Sequence, residues 1–203
     1  MTTKATNAKD KIFFVAAKMF AEQGYNNVSL RQIAAEVGIK AASIYYHYLS
    51  KEDMLKAMYD FHTHHHNLAR PKIEDLLESA KTQPPKQVLM SINYHVAQEA
   101  AEVMTYILRI ALQDVFNNSE SVRLIRANTM DYSYATTKLL LDRMIELKRI
   151  QPLDTNAFAK LSMYYAFGAA ALDKSALGVT LQEWTAGLEL LNSLIIPTTN
   201  AKT

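Results

Sequence analysis

The sequence predicts an all-α fold, and three observations carry that prediction. Gly and Pro number only five each in 203 residues, few for a chain built on many tight β-turns. The good helix formers Ala, Leu, Met, Lys and Glu are abundant instead. Apolar residues recur at i, i+3, i+4 and i+7, and no run alternates with the period of two that a half-buried strand requires. With 49% hydrophobic residues the chain can bury a real core in one or two domains.

The elements follow in order. In AKDKIFFVAAKMFAEQG the residues Ile12, Ala16, Met19 and Phe20 share one helical stripe, and Gly24 is a natural stop. YNNVSLRQIAAEVG restarts the chain with Ser29 and, three residues later, Gln32, a capping-box pair. Leu30, Ile33, Ala34 and Val37 then line one face, and Gly38 ends this short helix. A third helix is predicted from Lys40 to about His47, with Ile44 and Tyr48 turned inward one turn apart. Two short helices across a glycine turn make a helix-turn-helix. A fourth helix begins at Ser50, with Asp53 as its capping partner, and extends toward Pro71. After the breaker KTQPPKQ, helices are predicted over 86–100, 102–116, 121–149, 155–176 and 181–195, about nine in all.

The third helix is crowded with polar aromatics where a core would take leucines. A helix fits the major groove of B-DNA, and groups near its N-terminal half reach base edges. Lys40 can neutralise a phosphate or donate to guanine. Ala41 and Ala42 permit close approach and can meet a thymine methyl, and Ser43 can bond either a base or a phosphate. Tyr45, Tyr46 and His47 offer hydroxyl and ring N–H groups to phosphate oxygens, which set register rather than sequence. Lys51, at the start of the fourth helix, stands where charge and helix dipole both favour a phosphate. The competing reading is that the tyrosines close a small helical core, as expected for Ile44 and Tyr48. A three-helix core cannot bury every side of its third helix, which favours DNA contact for the others.

Over residues 10–55 the line AAKMFAEQGYNNVSLRQIAAEVGIKAASIYYHYLSKEDML resembles the DNA-binding domain of the TetR family of bacterial transcriptional regulators. The marks are Phe-Ala-x-x-Gly-Tyr, Ser-Leu-Arg-x-Ile-Ala, Val-Gly-Ile and Ile-Tyr-Tyr-His-Tyr-x-Ser-Lys-Glu, in order. The resemblance implies that Ser29 and Arg31 contact phosphate or base, with the third helix from Ala41 to His47 and Lys51 of the fourth. Two positions depart from the family. Lys40 stands where Ser or Thr is common, which leaves the third helix without a side-chain N-cap. Tyr48 stands where Phe is common, and its hydroxyl needs a partner once buried.

Other clusters have more than one reading. FHTHHHN holds His62, His64, His65 and His66. His62 and His66, at i and i+4, could share one metal, with His95 a third ligand if the fold brings it close. A solvated or interdomain cluster is the plainer reading, and His65 is counted among residues that could line a ligand pocket. His95, Gln98, Tyr106, Arg109 and Gln113 recur at helical spacing beside apolar residues, so they could orient a ligand or form a solvated face. The stretch LSMYYAFGAAALDKSALG with LQEWTAGLELLNSLII makes two neighbouring helices apolar on more than one side. They are read as a dimer interface, or else as core. The TetR resemblance implies a four-helix bundle made from the last two helices of each subunit.

Several classes are set aside. No Gly-rich phosphate loop, G-x-S-x-G elbow or H-E-x-x-H is present, and Cys is absent, so no enzyme activity, cofactor or metal is expected. The polar N-terminus lacks an export signal, and no apolar run nears the ~18 residues of a membrane helix, which points to the cytoplasm. A formal charge of +2 is too small to argue for nucleic acid alone. Residues 1–70 hold nine basic and six acidic side chains, against thirteen and fourteen in the remainder, an asymmetry that suits an N-terminal surface meeting polyanions.

The expectation is therefore a helix-turn-helix domain at 1–48 and a helical regulatory and dimerisation domain at 49–203. The function expected is that of a homodimeric regulator, a repressor of a near-palindromic DNA operator, released by a small apolar or amphipathic effector. The alternatives are a regulator switched by a protein partner, an activator without a small-molecule inducer, and a metal-dependent enzyme using the histidine cluster.

Overall fold

The computed structural model describes residues 7–98, 102–114, 116, 118–171 and 181–195. These form α1 (Ala8–Gln23), a 3-10 turn (Tyr25–Asn27), α2 (Leu30–Val37), α3 (Ala41–Tyr45), α4 (Lys51–Ala69), α5 (Ile73–Thr82) and α6 (Pro85–Gln98). After them come α7 (Glu102–Gln113), α8 (Ser119–Ile125), a π-helical stretch (Arg126–Met130), α9 (Asp131–Glu146), α10 (Thr155–Ala171) and α11 (Leu181–Ser193). No strand occurs among the described residues, and the fold is all-α as expected.

Two details differ from the sequence expectation. The segment after Pro71 is a helix in its own right, α5, with Leu76 and Ala80 buried and Ile73 and Leu77 beside them. Its 73-76-77-80 spacing is a helical signal that the strong breaker KTQPPKQ overshadowed. The pattern over 121–149 is divided: α8 gives way to the π-helical stretch before α9 begins, and α9 stops at Glu146. Lys148, at φ 56°, adopts the left-handed conformation that closes α9, and the flanking Leu147 and Arg149 N–H groups reach back to the Arg143 and Met144 carbonyls.

The chain divides into two compact units, Met1–Leu68 with Glu99–Ile125 and Ala69–Gln98 with Arg126–Thr203. In the first, α1 buries Ile12, Phe13, Ala16, Ala17, Phe20 and Ala21 and packs on α2 and α7. The stripe expected on α2 is buried in full: Leu30, Ile33, Ala34 and Val37. Phe20 meets the edge of Tyr25 at 5.1 Å between ring centroids. Full burial of a side chain of that size stabilises the fold by about 1.5–3 kcal/mol relative to exposure. The Asn7 side chain caps α1 by accepting the Asp10 N–H at 2.9 Å.

In the second unit α5, α6 and α9 close around Leu76, Ala80, Val88, Leu89, Ile92, Leu140, Leu141 and Met144. The Arg149 guanidinium donates to the Ala80 carbonyl at 2.9 Å, fixing the end of α9 to α5. α10 lies against α9 and α11. Gly187 of α11 permits close approach there, since a Cβ at that position would stand 1.7 Å from the Tyr165 hydroxyl oxygen. No described helix is long and apolar enough to cross a membrane.

Candidate nucleic-acid interface

Local rules build the α2–α3 unit. The Ser29 N–H donates to Gln32 Oε1 at 2.8 Å and the Gln32 N–H to Ser29 Oγ at 3.3 Å, completing the capping box read from the sequence. The Ser29 hydroxyl also donates to Gln32 Oε1 at 2.7 Å. Ser29, assigned to DNA contact, thus already uses its polar groups in the cap. α2 ends at Gly38, whose φ of 80° and ψ of 34° place it in the left-handed region that glycine enters without strain. Its N–H reaches the Ala34 and Ala35 carbonyls, and the Ile39 N–H bonds the Ala34 carbonyl at 2.9 Å. From α1, the Lys11 ammonium donates to the Val37 carbonyl at 2.9 Å, bracing the end of α2.

Lys40 is the N-cap of α3 in an extended conformation, with no side-chain cap bond. α3 is anchored by one fully buried residue, Ile44, and by Tyr48 beyond its end. The other side faces water: Ala42, Ser43 and Tyr45 are exposed, and Tyr46 is 87% exposed. Ala41 and His47 are half-buried, and the rings of Tyr46 and His47 meet edge to face at 5.1 Å. Lys40 and, on α2, Arg31 are exposed. The sequence reading passed over Leu49, which is 83% exposed beside this cluster. An apolar residue inside a polar aromatic run was the signal available for it.

Lys51 is half-buried and its ammonium turns inward. It donates to the Tyr25 carbonyl at 3.0 Å and the Val28 carbonyl at 3.2 Å, and stands 4.2 Å from the Tyr25 ring centroid. Burial, with Glu52 next in weight, pushes the Tyr25 phenol up to about 12. Around Lys51 the first turn of α4 is closed by its own groups. The Asp53 N–H bonds Ser50 Oγ at 3.1 Å, and the Leu49 N–H bonds the Asp53 carboxylate at 3.0 Å. The Glu52 carboxyl is lowered, first by its own backbone N–H and then by the Ser50 side chain.

The residues assigned to a ligand pocket fall on separate partners. The ring of exposed His65 lies tilted against Phe61, with centroids 4.1 Å apart. Tyr106 donates to the Glu102 carboxylate one turn away on α7, and that bond is the main cause of its rise to about 12. Arg109, half-buried, lies close enough to Tyr106 to oppose that rise. Gln113 donates to the Ala21 carbonyl of α1 at 3.1 Å, a bond between packed helices. His95 and Gln98 lie on α6, with side chains outside the described residues. The histidine cluster is split. His62 and His66 are buried and stacked at 5.7 Å, whereas His64 and His65 are exposed, so only half of it is a solvated face. Among the described residues no three His, Cys, Asp or Glu side chains gather as a metal-binding set.

A short exposed helix, set on a small core by a capping box and a left-handed glycine turn, defines a helix-turn-helix protein. Residues 12–58 match the family described as bacterial regulatory proteins, tetR family. Over those residues the chain is similar to that TetR family. Among curated relatives, the biofilm operon icaADBC negative transcriptional regulator IcaR of Staphylococcus epidermidis is 46% identical over 48 residues, 24% of this chain and 26% of that protein. The chain spans about a quarter to a third of the length of the curated relatives it matches. Solved structures extend the likeness of fold. The ketosteroid transcriptional regulator KstR2 of Mycobacterium tuberculosis is 20% identical with a TM-score of 0.67, covering 95% of this chain and 97% of that one. AibR, solved with isovaleryl coenzyme A and operator DNA, is 17% identical with a TM-score of 0.64, over 94% and 99% of the two chains.

Proposed function

We propose that the chain is a homodimeric repressor of transcription that binds a near-palindromic operator and leaves it when a small apolar or amphipathic ligand binds. The observation that carries the reading is the outer face of α3 and its C-cap residue, where Ala42, Ser43, Tyr45 and Tyr46 are turned to solvent while Ile44 and, beyond the helix, Tyr48 hold it to its core. A face with hydroxyls, a neighbouring cation at Lys40 and two small residues suits a major groove, with hydroxyls on phosphates and small residues at base edges. Residues 1–48 are read as the DNA-reading domain and 49–203 as the regulatory and dimerising one.

Repression is supported by the role named for the staphylococcal relative, and a ligand switch by the fold's likeness to the regulator solved with an acyl coenzyme A. The effector acts by binding more tightly to the conformation that fits the operator less well, and releases DNA by that difference in affinity. The site residues proposed are Ser29, Arg31, Lys40, Ala41, Ala42, Ser43, Tyr45, Tyr46, His47 and Lys51 toward DNA, and His65, His95, Gln98, Tyr106, Arg109 and Gln113 toward the effector. A protein that works on DNA in this way is read as cytoplasmic.

The test is to mix the purified protein with fragmented genomic DNA from its source and sequence what stays bound at moderate salt. An enriched near-palindrome is expected, with half-sites about one helical turn apart. A folded protein that enriches no sequence would remove the reading.

A further inference from the structure

We propose that Lys51 is a positioning residue for DNA binding, holding the turn ahead of α2 from inside the protein, and does not contact a phosphate. This inference rests on the DNA-binding reading above and changes the task given to one of its residues. Two independent observations carry it. The first is where the ammonium goes. Of its three N–H donors, two are taken by the Tyr25 and Val28 carbonyls, 26 and 23 residues away in sequence, and the charge lies over the Tyr25 ring. Those carbonyls flank the 3-10 turn that delivers the chain to the Ser29 cap of α2.

The second is what stands at the start of α4. A helix N-terminus attracts a phosphate through unsatisfied N–H groups and the positive end of its dipole. Here Ser50 and Asp53 satisfy N–H groups of the first turn and its approach, and the Glu52 and Asp53 carboxylates offset the dipole. A phosphate approaching that turn would meet two carboxylates. Lys51 therefore acts as a latch: it joins the first residue of α4 to the entrance of α2, so that α2 and the turn keep one orientation relative to α4.

The experiment compares wild type with Lys51→Met, Lys51→Arg and Lys40→Ala. The probe is a mixed-sequence duplex DNA of about 30 base pairs, long enough for two half-sites one turn apart. Affinity is measured across salt at a temperature where all four proteins are folded by circular dichroism. Each phosphate contact contributes about 0.9 to the slope of log affinity against log salt. Lys51→Met is expected to bind about tenfold more weakly with the wild-type slope, the order of one lost charge-assisted hydrogen bond. Lys51→Arg is expected to restore most of that loss, and Lys40→Ala to lower the slope by about 0.9. A lowered slope in Lys51→Met would make Lys51 a phosphate contact and overturn the proposal, and so would unchanged affinity and slope in that variant.

Amide hydrogen exchange without DNA reads the latch directly. Faster exchange over residues 25–34 in Lys51→Met, reversed in Lys51→Arg, is expected, and no change there would also overturn the proposal. If wild type shows no salt-dependent DNA binding but the exchange difference appears, the latch stands as a structural tie and the DNA reading is what fails.

Discussion

Tyr48 shows how one side chain can be half legible. Its inward turn followed from its place one turn after Ile44, and the structure leaves it 3% exposed. Its surroundings were not legible: the Lys9 ammonium stands 5.5 Å from the ring centroid, and burial, then Asp10 and Asp53, push its ionisation up to about 12. A phenol that titrates later in the folded chain than its ordinary value of 10 gives stability that is complete below pH about 10 and is lost as pH rises toward 12. Tyr48→Phe removes that contribution, so its urea midpoint should fall less than wild type's between about pH 9 and about pH 11. Tyr25 and Tyr106, also pushed to about 12, keep some alkaline loss in the variant. Equal losses in the two proteins would show that Tyr48 ionises alike in the folded and unfolded chain. The inward turn of Lys51 was not legible for a related reason: its partners lie more than twenty residues back, and periodicity has no view of a contact that only tertiary folding creates.

At the scale of elements, spacing and caps were read correctly where the signals are local. The capping box of α2, the glycine after it and the missing cap of α3 are all decided within four residues, and all three are present. The π-helical stretch at 126–130 has no such local signal, which is why the helix around it was drawn as one. α3 gives the element-scale prediction. It is five residues long and begins on Lys40, whose extended φ of −71° and ψ of 142° suit a capping residue but whose side chain makes no cap bond. Lys40→Ser supplies an oxygen for the Ala42 or Ser43 N–H and should raise stability to urea by about 0.5–1 kcal/mol. The same change deletes an exposed cation beside the proposed DNA face, so DNA affinity should fall even as stability rises. A variant that gains on both counts would take Lys40 out of the interface.

For the molecule as a whole, the all-α fold was legible from helical spacing along the chain, and the likeness of residues 12–58 to the TetR family from several ordered marks in forty-odd residues. The proposed pocket was not, because a pocket is a convergence of distant helices, and a stripe on one helix says nothing about what faces it. Tyr106 and Gln113 share such a stripe, yet one bonds Glu102 on its own helix and the other the backbone of α1. The proposed dimerisation belongs to this scale. Leu190 on α11 and Leu194 just past its end are 67% and 72% exposed, and Leu161 and Tyr164 of α10 are exposed as well. Apolar side chains repeated at helical spacing on two packed helices are a surface that a second copy would cover. The double variant Leu190→Glu, Leu194→Glu leaves the core around Ala166 and Leu188 in place and puts like charges where the two copies would meet. Sedimentation should show a monomer with wild-type helix content, and affinity for a two-half-site duplex should fall to that of a single half-site. A dimer that survives both charges would place the contact elsewhere on the chain, and the spacing of the two α3 helices would then have to be set by another surface.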